Sequence, residues 1–208
     1  MMLKKAITLI GLTAVAAFSS TLAQATVLTF DDTSFQSTAS IYNGDPIEDT
    51  YTMINATDPN YGGLNWSDNF GIYYGPGLSP GYDAGTVSGD YASFNGRGVT
   101  ASLEGGTFDW VGAWFNDPHD YNTDTFLTIE GFTNGIRTNS TSFELGYAAP
   151  IWFQADWAGI DSLTFNVTEG SWFTMDDFTF NTATVPEPSS IALLALGLAG
   201  LGATRRKA

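Results

Sequence analysis

The sequence predicts an all-β domain, a two-sheet antiparallel β-sandwich of jelly-roll type, set between two short segments of different character. Three observations carry this reading. Between the ends, short runs rich in Phe, Trp, Tyr, Thr and Val are punctuated by Gly, Asn, Asp and Pro. No stretch of about 12 residues there keeps a helical period. No internal repeat of fixed period points to a propeller or solenoid.

The elements follow in order. Lys4 and Lys5 precede an apolar run over 6–18, and Leu22-Ala23-Gln24-Ala25 is a small-residue cleavage site. Residues 1–25 therefore read as a signal peptide, with Thr26 opening the mature chain. Strands are expected at 27–30, 70–74, 91–95, 99–103, 108–115, 125–132, 141–145, 151–157, 162–168 and 172–180. Alternation is clearest where Leu163, Phe165 and Val167 interleave with Thr164, Asn166 and Thr168, the mark of a half-buried strand. Asn134-Gly135 is a hairpin turn signal. The stretch 43–89 is dense in Gly, Pro, Asn, Asp and Tyr and reads as long loops on the sandwich. Residues 26–184 form one domain, large enough to bury a core without the disulfides that the absent cysteines preclude.

Charge narrows the partners. Within 26–184 only Arg97 and Arg137 oppose 21 Asp and Glu, a formal charge of −19. Such a surface excludes nucleic acid, whose phosphates need Lys and Arg. It also repels polyanionic glycans and membranes unless divalent cations intervene. Solubility accounts for the charge equally well.

Candidate sites are few. Asp31-Asp32 follows the first strand and Asp176-Asp177 lies in the last. Termini of a sandwich tend to meet, so the four carboxylates are expected to approach one another and hold a structural Ca²⁺; two solvated turns are the alternative. Asp120, Asn122 and Asp124 alternate as in a calcium loop, but the EF-hand Gly and Glu are missing, and a polar turn fits as well. Trp66, Tyr73 and Tyr74 lie in the loop-rich stretch and fit sugar stacking if exposed, or packing if buried. His119 is the sole histidine, and no Gly-x-Ser-x-Gly elbow accompanies it. The chain is therefore read as non-catalytic. Paired carboxylates alone do not establish glycoside hydrolysis.

The last 24 residues, 185–208, are the third segment. Pro186-Glu187-Pro188 is rigid and extended, because each proline fixes its own φ and restrains its predecessor. Residues 191–203 carry no charge, and as a helix of 13 residues they span only ~20 Å of a ~30 Å hydrocarbon core. Arg205, Arg206 and Lys207 close the chain on the cytoplasmic side. In this order the three parts resemble the PEP-CTERM protein-sorting signal of Gram-negative bacteria that make extracellular polysaccharide. The resemblance implies export through the inner membrane and transient membrane insertion of the hydrophobic helix. It further implies recognition by a membrane exosortase, cleavage near the Pro-Glu-Pro, and delivery to the cell surface or matrix.

Two further stretches resemble known domains. Met175 to Phe180, reading MDDFTF, resembles the closing strand of galactose-binding-like and carbohydrate-binding jelly rolls. That likeness implies a structural Ca²⁺ held with the opening segment. The stretch from Trp152-Phe153 to Phe165 looks like the penultimate hairpin of domains attached to PEP-CTERM tails. Three functions fit: a non-catalytic sandwich bound to or lying within exopolysaccharide, a purely structural matrix protein, and a glycan-active hydrolase or lyase.

Overall fold

Backbone hydrogen bonds join ten antiparallel strands into one continuous ladder in the computed structural model, which describes residues 25–32, 34, 51–95, 99–120 and 124–182. The strands are β1 (Ala25–Leu28), β2 (Tyr51–Met53), β3 (Asn65–Trp66), β4 (Phe70–Tyr74) and β5 (Tyr91–Asn95). They continue as β6 (Ala101–Asn116), β7 (Thr125–Thr133), β8 (Ile136–Leu145), β9 (Ile151–Val167) and β10 (Thr174–Thr182). Two single-turn helices, α1 (Ile54–Thr57) and α2 (Pro80–Gly85), interrupt the early strands. The order is β2-β4-β5-β10-β6-β9-β7-β8, with β1 added to β10 and β3 to β6.

This ladder folds over into a sandwich. β4 and β9 stand four places apart, which in a flat sheet means roughly 19 Å at about 4.8 Å per strand. Yet the rings of Phe70 on β4 and Phe165 on β9 are 5.4 Å apart, edge to face. The two arms of the ladder therefore face each other across one core. Phe165 lies at its centre, touching Trp110, Phe115 and Phe173 at centroid distances of 6.2, 6.2 and 5.9 Å. All five residues are buried.

Several expectations meet the structure directly. β1 and β10, the first and last strands, are antiparallel neighbours, with Leu28 opposite Phe178. Leu163 and Phe165 are buried and Thr164 and Asn166 half-buried, as the alternation requires. Asn134 (φ 51°) and Gly135 (φ 74°) make the two-residue turn between β7 and β8, where both positions need φ above zero.

Others are corrected. The expected strands at 99–103 and 108–115 are one strand, β6, and those at 151–157 and 162–168 are one strand, β9. The penultimate hairpin from Trp152 to Phe165 is therefore absent. Gly105 and Gly106 fall between the first two of these expected strands and Gly159 between the other two, and they are absorbed as register irregularities within the β6–β9 ladder. Much of the loop-rich stretch is ordered, because Tyr61, Leu64, Trp66 and Phe70 are drawn into the core. The signal peptide and sorting tail lie outside the described residues. Among the described residues no helix is long and apolar enough to cross a membrane.

Because Phe165 joins both arms, Phe165→Ala is expected to cost about 3–5 kcal/mol of unfolding free energy. Chemical denaturation measures this, and a loss below about 1 kcal/mol would show that the arms are not held together there.

Candidate functional site

The two acidic pairs do come to one place, and what lies between them is backbone. After β1 the chain turns at Phe30 (φ 62°), whose N–H donates to the Tyr61 hydroxyl at 3.1 Å. The turn delivers Asp31 to the start of β5, where its Oδ1 accepts the N–H groups of Asp90 (2.8 Å) and Tyr91 (3.1 Å). Asp32 takes the Tyr61 hydroxyl, and burial together with that carboxylate raises the Tyr61 pKa. From the other side Asp176 Oδ2 accepts Val87 N–H and Ser88 N–H, both at 2.8 Å, while its Oδ1 accepts Asp177 N–H at 2.7 Å. Ser88 Oγ donates to Asp177 Oδ1 at 2.7 Å. The carboxylates thus clasp the segment 87–91 between β4 and β5. The expected cage of Asp31, Asp32, Asp176 and Asp177 is not formed. Among the described residues no group of three or more His, Cys, Asp or Glu side chains is arranged to hold a metal ion.

The second calcium candidate lies in the loop before β7. Asp120 and Asp124 are exposed, and Asn122 lies outside the described residues. His119 beside them is half-buried, its Nε2 is 3.2 Å from the Tyr82 hydroxyl, and burial lowers its pKa.

Burial also corrects the stacking candidates. Trp66 is 5 % exposed, with rings of Phe30, Phe70 and Phe178 around it and its indole N–H given to Tyr61 C=O at 2.9 Å. Tyr73 is 2 % exposed and donates to Tyr82 C=O at 3.0 Å, and burial pushes its pKa up. Neither can stack on a ligand. Tyr74 is half-buried, edge-on to Tyr91 at 5.3 Å.

Two half-buried aromatics, Trp114 and Trp152, lie elsewhere, on the side of β6 away from the core. Ala113 and Phe115 turn inward, so Trp114 between them turns outward. Trp114 is opposite Trp152 on β9, and their half-buried rings meet at 5.8 Å. Next along β6 is Gly112, opposite Gln154 on β9 and Thr179 on β10. A Cβ at Gly112 would lie 2.2 Å from the Phe153 carbonyl oxygen and 2.9 Å from the Trp152 ring, so only glycine allows this approach. Trp152 Nε1 donates to Gln154 Oε1 at 2.8 Å, and Gln154 Nε2 donates to Asp156 Oδ1 at 2.6 Å.

Both strands flanking Gly112 bulge at this level. Between the pairs 112–154 and 110–157, β9 has one more residue than β6, and Asp156 there has φ 51°. Between the pairs 114–176 and 112–179, β10 has one more residue than β6, and Asp177 there has φ 49°. Bulges of this kind re-aim a side chain. The result is a surface with a glycine floor, two tryptophans at one end and an aspartate on either side. Sequence reading missed it because Trp114 and Trp152 sit inside strands, where aromatics are expected to point to the core. The one available signal was Gly112 within an otherwise bulky strand.

Comparison with known proteins identifies the tail. Residues 184–207 match the PEP-CTERM protein-sorting motif. The motif marks an exported protein, sorted to the envelope or surface and processed by an exosortase. No curated protein matches the chain. Among solved structures, TmCBM61 in complex with β-1,4-galactotriose is 14 % identical, covering 57 % of this chain and 87 % of its own, at a TM-score of 0.34. CBM51 from Clostridium perfringens GH95, in complex with methyl-galactose, is 12 % identical, covering 76 % and 99 %, at 0.34. The enzymatically active domain of bacteriophage CBA120 tailspike protein 4 is 14 % identical, covering 69 % and 21 %, at 0.31.

Asp176 makes a pH prediction. It is wholly enclosed, and desolvation pushes its pKa from 3.8 to about 7 despite three accepted N–H bonds. The native state therefore binds more protons than the unfolded chain between about pH 4 and pH 7, so this group lowers stability as pH rises through that window. Thermal unfolding of Asp176→Asn against wild type should show the difference narrowing or reversing towards pH 7 and flattening above it. A difference independent of pH would overturn the assignment. A rise in Tm with Ca²⁺, reversed by chelator, would show instead that a cation draws the acidic pairs together.

Proposed function

We propose that this protein is a non-catalytic surface module that attaches to extracellular polysaccharide through the outward face of β6, β9 and β10. A Gram-negative cell exporting it across the inner membrane fits the sorting motif and its tail. The Trp114–Trp152 pair carries the reading: two half-exposed indoles meet at 5.8 Å beside a glycine floor. Sugar rings present apolar C–H faces and hydroxyl edges. An indole takes the former, and Gln154 and Asp156 in the same outward row suit the latter.

The remaining chemistry supports binding over hydrolysis. Asp176, the carboxyl whose pKa suits a general acid, is 0 % exposed and accepts N–H bonds at both oxygens. A proton there has no path to a glycosidic oxygen.

Affinity electrophoresis in the polysaccharide of a producing culture, and in neutral glycans, tests the proposal. Trp152→Ala should weaken retardation about tenfold or more, because a stacked indole is the dominant anchor of such a surface. Its Tm should change little. Equal retardation of the variant, or no retardation of either protein, would favour the purely structural matrix reading. Appearance of reducing ends would favour the hydrolase.

A further inference from the structure

We infer that the glycan taken by this surface carries free amino groups, an inference that rests on the glycan-binding reading above. The polar atoms around Gly112 are mostly engaged with one another. Trp152 Nε1 is held by Gln154, Gln154 Nε2 by Asp156, and Thr179 Oγ1 by the Asp177 carbonyl at 2.9 Å. What the row offers outward is the carboxylate of Asp156, which is exposed beyond the indoles.

Among the described residues Arg137 is the only Lys or Arg, and it is ion-paired with Glu130 on the β7–β8 hairpin. A uronic-acid polymer would bring negative charge to a domain of formal charge −19 with nothing on this face to meet it. An ammonium group suits both ends of the surface. Ammonium groups along the glycan donate charge-assisted hydrogen bonds to the carboxylate and gain cation–π attraction over the indoles.

The backbone adds an independent mark. Asp156 occupies the left-handed region at φ 51°, where glycine or asparagine sits more easily, and the bulge turns its side chain into the row of Trp152 and Gln154. A neutral glycan needs hydrogen-bond partners, which asparagine would supply at that φ with less strain. The aspartate carboxylate accepts from sugar hydroxyls as asparagine would and, unlike asparagine, also attracts a cationic group.

Chito-oligosaccharides with free amino groups, and fully N-acetylated counterparts of the same length, test this on the full chain by calorimetric titration. At a pH where the amines are protonated and at low salt, the amino form should bind about tenfold tighter than the acetylated form. The advantage should fall to about twofold or less in Asp156→Asn and at ionic strengths near 1 M, where charge is screened within about 3 Å. Asparagine tolerates the left-handed conformation, so the variant keeps its fold, and an unchanged Tm verifies this. Equal binding of the two forms, abolished in both by Trp152→Ala, would overturn the amine preference and leave the glycan surface standing. An amine preference retained by Asp156→Asn would overturn the role of Asp156. No binding of either form, with none to neutral or secreted polysaccharide, would overturn both readings.

Discussion

The pairing of β6 on both its edges is the constraint from which the rest of the structure follows. Its 16 residues hold β9 along one edge and β10 with β3 along the other. Its inward side chains Phe108, Trp110 and Phe115 are buried in the core that both arms share. A strand so long must twist, and the ladder accommodates the twist by inserting residues on one strand or the other. Those insertions set which outward side chains meet. Trp114 and Trp152 are brought together by the same register that sets Gly112 beneath the Trp152 ring.

Closure of the domain uses hydrogen bonds where other exported domains use disulfides. There is no cysteine, so the N-terminal strand and the segment 87–91 are tied by carboxylates accepting backbone N–H groups. Charge-assisted bonds of this type are stronger than neutral ones. They also have a cost, because Asp176 is enclosed beside Asp177 and its charge is poorly solvated. The segment between β4 and β5 lies over the outward side of β10 and β6: Asn116 Nδ2 donates to Gly81 C=O at 2.7 Å, and a Cβ on Gly85 would lie 2.3 Å from Thr174 Oγ1. It encloses Asp176 and leaves the Gly112 surface beyond it.

Fold class was legible because alternation is a local property. Leu163 and Phe165 are buried for the reason their spacing suggests, and Asn134-Gly135 turns because its φ values require it. The meeting of β1 with β10 was legible from the tendency of termini to converge. The site was less legible. Trp66 and Tyr73 look like loop aromatics in a Gly-rich stretch, but Trp66 joins the core rings of Phe30, Tyr61, Phe70 and Phe178, and Tyr73 joins the small cluster with Ala92 and Phe94. Trp114 and Trp152 look like core residues, and only strand parity set by β6 turns them out. Gly105, Gly106 and Gly159 could not be assigned to turns or bulges without knowing that β6 and β9 pair through them. Asp31 and Asp176 were expected near one another, but the backbone donors that tie them to the segment 87–91 are distant in sequence, Asp90 from Asp31 by 59 residues and Val87 from Asp176 by 89. No local pattern encodes such bonds.

Backbone strain distinguishes the two bulges that flank Gly112. Among the described residues five other than glycine have φ near +50° to +62°, and two of them, Asp156 and Asp177, lie on opposite sides of β6 at the level of Gly112. Two strand spacings separate them, roughly 10 Å. A left-handed residue other than glycine is destabilising by about 1–2 kcal/mol, and aspartate tolerates it only in part through local hydrogen bonds. Asp177 has a structural reason, since its Oδ1 receives Ser88 Oγ and completes the clasp. Asp156 has a single side-chain neighbour in Gln154 and an otherwise exposed carboxylate. The clasp accounts for one bulge. The other sets an exposed carboxylate at the end of the row that runs from Trp152 through Gln154.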